Sequence, residues 1–355
     1  MLSFVLQPMN KQTLHNSNSG SVLCFGELLL RLSPDAGGDW LAQNRVPIFM
    51  GGAELNVATA LALWHVPVRY YTALPDNYLT DEIISHVNSL GIDAGDIYRH
   101  GDRMGIYYLA KGADLKNDSL IYDRAGSAFA GLKPGMIDWD KVFTDVSWFH
   151  LTAICPALNQ NVADVCEEAL IAASKKGITT SIDLNYRAKL WKYGKAPHEV
   201  MPALVEHCDV VMGNIWASEM MLDIPIAGGI HEKGLKDNYL QAAIGTSEYI
   251  AEKYPKCKAV ANTFRFDKGD RTNYYTALYT SGKHYHTEDH TAGKIVNKVG
   301  SGDCFMAGLI YGFYNGHSPE ETLQFATRAA FDKLFIAGDA TKHTVEEIKN
   351  SHIAR

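Results

Sequence analysis

From Val22 onward, short apolar stretches alternate with amphipathic ones, and this alternation restricts the folds open to the chain more than any other feature. "VLCFGELLLRL" reads as a buried strand running on into an exposed one. "ELNVATALALW" carries the 3.6-residue period of a core helix, and "VRYYTAL" returns as a strand. "DEIISHVNSLGI" is a second helix, stopped at Gly91. Strands follow at "VSWFHLT", "TTSIDLN", "VVMGN" and "KAVANTF", with helices over Val162 to Lys175 and near Val200 to His207. A hairpin at "NYYTALYTSGKHYHT" and two helices from Asp303 to about Ala337 complete the pattern. Repeated βα units with short links predict a mainly parallel sheet covered by helices on both faces, a three-layer α/β/α sandwich. Two patches of strand interrupt the regularity, from about 28–50 and from 105–124, where "GIYYLAKG" and "SLIYDRAG" are aromatic and alternate. Together they predict a small antiparallel sheet projecting from the body.

Composition narrows the function classes. At 355 residues and 46% hydrophobic, the chain has the material for a sizeable core. A net charge of −7, with no basic run longer than Lys175-Lys176, argues against a nucleic-acid or membrane-surface partner. No window has the roughly 18 uninterrupted apolar residues of a membrane span. The six cysteines form no CxxC pair, which suits reduced thiols and a cytoplasmic setting better than disulfides or a zinc site. Residues 1–20 read as a polar, disordered tail. The HExxH, GxSxG and GxxxxGK[ST] patterns are absent, and no GxGxxG follows the first strand.

Three short motifs bear chemistry. In "NKVGSGDCFMAGL", Gly300, Ser301 and Gly302 precede an apolar helix, so their backbone N–H groups can cradle an anion at its positive end. Asp303 beside them can take a proton from an attacking hydroxyl. The same pattern also serves a plain capped turn, with Asp303 as the N-cap. In "GGAELN", Gly52 admits close approach to the backbone, and Asn56 can donate to and accept from sugar hydroxyls. That stretch is equally compatible with a strand-to-helix turn carrying a polar first-turn residue. In "DLNYRAKLW", Arg187 follows the end of a strand, where parallel sheets bind ligands. It can hold a carboxylate or phosphate, or pair with a nearby acid. Arg124 is a second candidate anion holder, and Tyr107 and Tyr122 can stack on a polar ligand or simply pack in a flap.

In this order and along almost the whole chain from about Val22, the motifs resemble the ribokinase-like (PfkB-type) carbohydrate kinases. Within that family, "GELLLRLSP", "GIYY", "YDRAGSA" and "DLNYRAKLW" look most similar to 2-keto-3-deoxygluconate kinases. The resemblance implies one kinase domain over 21–355, with the projecting sheet as a lid over the sugar and as a homo-oligomer contact. It implies that Tyr107, Tyr122, Arg124 and Arg187 surround an acidic sugar, with Asp339 near it. It places Asn185, Asn214, Thr263 and Arg265 on ATP together with Gly300 and Gly302, and brings Mg2+ with the ATP phosphates. No metal ligand in the protein is assigned. Two positions depart from the family pattern: Asn297 stands where the anion-hole motif opens with Asp, and Ala217 where a mid-chain Glu is expected, with Glu219 as a partial substitute. The implied activity is ATP-dependent phosphorylation of the 6-hydroxyl of 2-keto-3-deoxygluconate. The alternatives are a kinase of another sugar, such as fructose, and a catalytically weak sugar-binding relative.

Overall fold

In β1 (Ser21–Phe25) every residue after the first is buried, and successive side chains serve opposite faces. Val22 and Cys24 enter one apolar layer, while Leu23 and Phe25 enter another. A strand apolar on both faces must be central. In the computed structural model, β1 accordingly pairs in parallel with β4 (Val68–Tyr71) on one side and β9 (Val146–Thr152) on the other. The structure describes residues 20–34, 40–41, 44–109, 120–226, 230, 235–269, 271–293 and 295–351. The expected tail at 1–20 therefore lies outside the described residues, apart from Gly20.

Beyond β9 the sheet continues in parallel through β10 (Thr179–Asp183), β11 (Val210–Gly213) and β12 (Ala259–Lys268). It turns antiparallel at β13 (Arg271–Thr280), which also holds β14 (Lys283–His286) and β15 (His290–Ala292), making nine strands. The predicted α/β/α sandwich is thus the observed one. One face carries the helices Ala53–Leu63, Tyr78–Ser89, Ser301–Tyr314 and Pro319–Lys333. The other carries Trp139–Val142, Gln160–Lys175, Pro197–Val205 and Ile215–Leu222.

Helix ends follow local chemistry. Asn159 Oδ1 accepts from the Val162 N–H at the start of Gln160–Lys175, and Gly91, with φ of 82°, follows Tyr78–Ser89. Four helices among the described residues were not expected from the pattern: the short Trp139–Val142 and Val345–Asn350, and two longer ones. Ile215–Leu222 is apolar almost throughout, so it has no readable period. Lys236–Lys253 buries Tyr239, Ala243, Thr246, Ser247 and Ile250, a face too small and polar to stand out. No helix among the described residues is long and apolar enough to cross a membrane.

The lid exists as a separate four-stranded sheet, ordered β3 (Ile48–Gly51), β2 (Leu29–Leu32), β7 (Gly105–Tyr108) and β8 (Ile121–Asp123). It is not antiparallel throughout: β2 and β7 pair in parallel, Leu29 opposite Gly105. Each antiparallel pair, β2–β3 and β7–β8, gives its first strand to the junction, and both first strands run in the same sense. Nor is β2 exposed, since Leu29 and Arg31 are buried. Leu29, Tyr107, Leu109 and Leu120 form an apolar cluster with Val299, which seats the lid on the turn before the helix Ser301–Tyr314.

Candidate active site

The carboxyl ends of the parallel strands open into one cleft of about 370 Å³, roofed by the lid. After β1 comes Glu27, after β10 come Asn185 and Arg187, after β11 comes Asn214, and β12 contributes Thr263 and Arg265. Gly52, Asn56, Tyr107, Tyr122, Arg124 and the run Gly300 to Asp303 complete the set. Every site residue expected from sequence lines this cleft except Asp339.

Two glycines make the cleft's floor possible. Gly52 caps the helix Ala53–Leu63 with φ of 144°, and a Cβ there would lie 2.8 Å from the Glu27 carbonyl oxygen. Gly300 caps the helix Ser301–Tyr314 with φ of 81°, and a Cβ there would overlap the Asp339 carbonyl oxygen. Only glycine tolerates both the conformation and the contact. With Gly300 as the cap, Asp303 is not one: it sits inside the first turn, where its Oδ2 accepts from Asn56 Nδ2 at 2.7 Å. The capped-turn reading of Asp303 is therefore replaced by a buried carboxylate joined to the helix Ala53–Leu63.

Burial pushes the Asp303 carboxyl up to about 7, assisted by the nearby Asp183 and Glu54 and opposed by the Asn56 hydrogen bond and Arg187. Burial likewise raises Asp183 to about 6, although it accepts from the Asn185 N–H at 3.0 Å and feels Arg187. Glu54 is raised mainly by burial, and its Oε1 accepts from the Thr152 N–H and hydroxyl at 3.0 and 2.7 Å. Three carboxyls of raised pKa thus surround one point, and Asp303 stands closest to a general base tuned to neutral pH.

The two arginines differ. The Arg124 Nε donates to Glu27 Oε2 at 2.6 Å, and Ser127 donates to the other Glu27 oxygen, so this guanidinium is buried and matched. Arg187 is half-buried and makes no side-chain hydrogen bond or ion pair among the described residues. Its only fixed relation is the field it casts on Asp183 and Asp303.

Asp339 lies behind the cleft, with Oδ1 2.9 Å from Arg31 Nη2 and Oδ2 accepting from the Tyr107 hydroxyl at 3.1 Å. It orients a lining residue and does not itself face the cavity. At the far end of the cleft, Asn214 Oδ1 accepts from the Ala217 N–H at 2.8 Å, which leaves the amide NH2 free to donate. Glu219 is exposed on that helix and does not reach the cleft. Lys298 also lines the cleft and holds Asp267 at 2.8 Å.

Sequence reasoning missed Glu27, Glu54 and Lys298, and assigned no role to Asp183. Glu27 and Glu54 did leave a signal, as lone acids inside apolar runs. Asn297, where the family carries Asp, is a clasp: its Nδ2 donates to the Gly338 carbonyl at 2.7 Å and its Oδ1 accepts from the Val299 N–H at 3.0 Å.

The pfkB family carbohydrate kinase model matches residues 19–331. Among solved structures, 2-dehydro-3-deoxygluconokinase from Thermotoga maritima superposes with a TM-score of 0.83 at 33% identity, over 93% of this chain and 98% of that one. The 2-dehydro-3-deoxygalactonokinase of Haloferax volcanii is 24% identical over 93% of this chain and 96% of its own length. The 2-dehydro-3-deoxygluconokinase of Bacillus subtilis is 24% identical over 78% of this chain and 77% of its own length. With a glycine turn at a helix N-terminus, a buried carboxylate beside it and a small sheet above, the chain belongs to the pfkB family of carbohydrate kinases and is an ATP-dependent sugar kinase.

Proposed function

We propose that this kinase transfers the γ-phosphoryl group of ATP to the 6-hydroxyl of 2-keto-3-deoxygluconate. The observation that carries this reading is Arg187, an unmatched guanidinium in the same cleft as the buried Asp303. A neutral sugar gives such a charge nothing to pair with, whereas a sugar acid supplies a carboxylate for a two-pronged contact. The 33% identity to a 2-dehydro-3-deoxygluconokinase supports the same choice.

Asp303 accepts the proton of the attacking hydroxyl, while the N–H groups of Gly300, Ser301 and Gly302 take up charge on the transferring phosphoryl. Asn56 spends its NH2 on Asp303, so its carbonyl oxygen is left to receive a sugar hydroxyl, with Gly52 beneath. Arg187 holds the carboxylate; Arg124, already matched by Glu27, shapes the wall with Tyr107 and Tyr122. The ATP phosphates lie along Asn185, Asn214, Thr263 and Arg265. Two neutral amides, a hydroxyl and one cation fit a phosphate chain bearing its own Mg2+, which lowers the charge on the β- and γ-phosphates. Lid closure excludes water from the phosphoryl group.

The exposed Ile48, Phe49 and Ile121 on the outer lid strands support docking of a second copy of the chain there. Six buried, unbridged cysteines support a cytoplasmic setting. The test is a coupled assay of ADP release with 2-keto-3-deoxygluconate, its galactonate epimer, fructose and ribose. Turnover should favour the two acids; equal or better turnover of the neutral sugars sinks the substrate assignment, and preference for the epimer shifts it to the galactonate.

A further inference from the structure

Lys333, the last residue of the helix Pro319–Lys333, is fully buried, which is rare for a lysine. Its ammonium has three protons to donate, yet its one hydrogen bond among the described residues is a long one, 3.4 Å to the Ile336 carbonyl. Closing off a helix end does not account for this, since a basic side chain can serve the last carbonyls from the surface. What lies above it is the phosphate-facing turn. A Cβ placed on Gly300 would come within 3.4 Å of Lys333 Cε, so the lysine stem passes directly beneath that residue.

The surroundings make this a charge arrangement. The groups facing Lys333 are Cys304 and Asp303 from the helix Ser301–Tyr314, Asp339 from the following loop, and Arg31 from the lid. Arg31 is committed to Asp339 at 2.9 Å. That leaves Lys333 as a second cation in the field of Asp303, behind the turn, while Arg187, the stronger cationic influence on that carboxyl, acts from the cleft side. The loop between them is pinned from two sides: Lys333 holds the Ile336 carbonyl, and Asn297 holds the Gly338 carbonyl. The Asp339 carbonyl in turn presses on Gly300.

We propose that Lys333 is the positioning residue of the anion hole: a fixed internal cation that holds the Gly300 turn in place and strengthens its attraction for the transferring phosphoryl group. It touches neither substrate and acts through the turn, a water-excluded position in which a charge keeps its strength. The inference rests on the assignment of Asp303 as the base and of Gly300 to Gly302 as the phosphoryl cradle.

Lys333→Met keeps the volume and removes the charge. Turnover should fall by about tenfold to a hundredfold, with KM for ATP and for the sugar acid within about threefold of the parent. ADP with aluminium fluoride and the sugar acid, a mimic of the transferring phosphoryl, should bind more weakly by the same factor as kcat. The acid limb of the pH–rate profile should move modestly to higher pH, because Lys333 interacts with Asp303 and its removal withdraws a cation that favours the ionised carboxyl, while Asp183 and Glu54 still oppose ionisation. A merely structural lysine would lower Tm without moving that limb. Wild-type kcat with an unshifted limb in the Met variant overturns the proposal, as does a loss confined to KM or Tm.

If the Met variant does not fold, Lys333→Arg and Lys333→Gln replace it. Turnover and acid limb should follow the charge, with Arg near the parent and Gln well below; equal values in the two overturn the proposal. Failure of the underlying base assignment shows separately, as turnover surviving in Asp303→Asn with Lys333 intact.

Discussion

The two walls of the cleft handle charge in opposite ways. On the lid wall every buried charge among the described residues has met its partner: Arg124 with Glu27, and Arg31 with Asp339, which also receives the Tyr107 hydroxyl. On the sheet wall the charges around Asp303 form no ion pair among the described residues: Asp303, Asp183 and Glu54 lie in one another's field with raised pKa values, and Arg187 makes no side-chain hydrogen bond there. A matched buried pair shapes and holds a structure, and removing one member leaves an uncompensated charge. An unmatched group costs stability and is available to a ligand. The two arginines, similar in sequence as candidate anion holders, therefore have different work.

The sharpest way to break this contrast is Asp303→Asn. Loss of the base should lower kcat by about 10³-fold, with KM for ATP nearly unchanged, in steady-state assays. Next comes Arg187→Ala, which should raise KM for the sugar acid by roughly a hundredfold while the melting temperature stays put. Arg124→Ala should do the reverse in kind. Stranding Glu27 should cost about 3 kcal/mol, seen in a denaturant titration, and Arg124→Met with Glu27→Gln should recover part of it. Near-normal stability in Arg124→Ala would erase the distinction between the walls.

The smallest effect is thermodynamic and pH-dependent. Asp303 is raised in the folded state from 3.8 to about 7, so the native protein binds the extra proton and is relatively more stable at low pH. That stability is lost as pH rises from about 4 to about 7, and the loss is complete above. Asp303→Asn should therefore melt a few degrees higher than the parent at pH 8, with the gain shrinking toward pH 4. In the parent enzyme the same group should give kcat/KM an acid limb near pH 7.

Much of the fold was legible because its signals are local. β9 falls on the expected "VSWFHLT" without adjustment, and the helix expected over Val162 to Lys175 begins only two residues earlier, at Gln160, behind its Asn159 cap. Where the pattern was faint, as in the almost wholly apolar Ile215–Leu222, the helix went unseen. The lid's strands were read but not their pairing, because strand texture reports periodicity and says nothing about which neighbour lies alongside.

For the site, sequence alone determined the parts whose chemistry is carried by adjacent residues: the Gly300 turn, the Gly52 turn and the strand-end Arg187. Only the tertiary structure decided which charges are satisfied. Asn56 meets Asp303 across 247 residues, Tyr107 meets Asp339 across 232, and Arg124 meets Glu27 across 97. Charge matching and burial are properties of neighbours in space, and they alone separate a structural arginine from a binding one, or an ordinary helix-end lysine from a cation beneath the phosphoryl site.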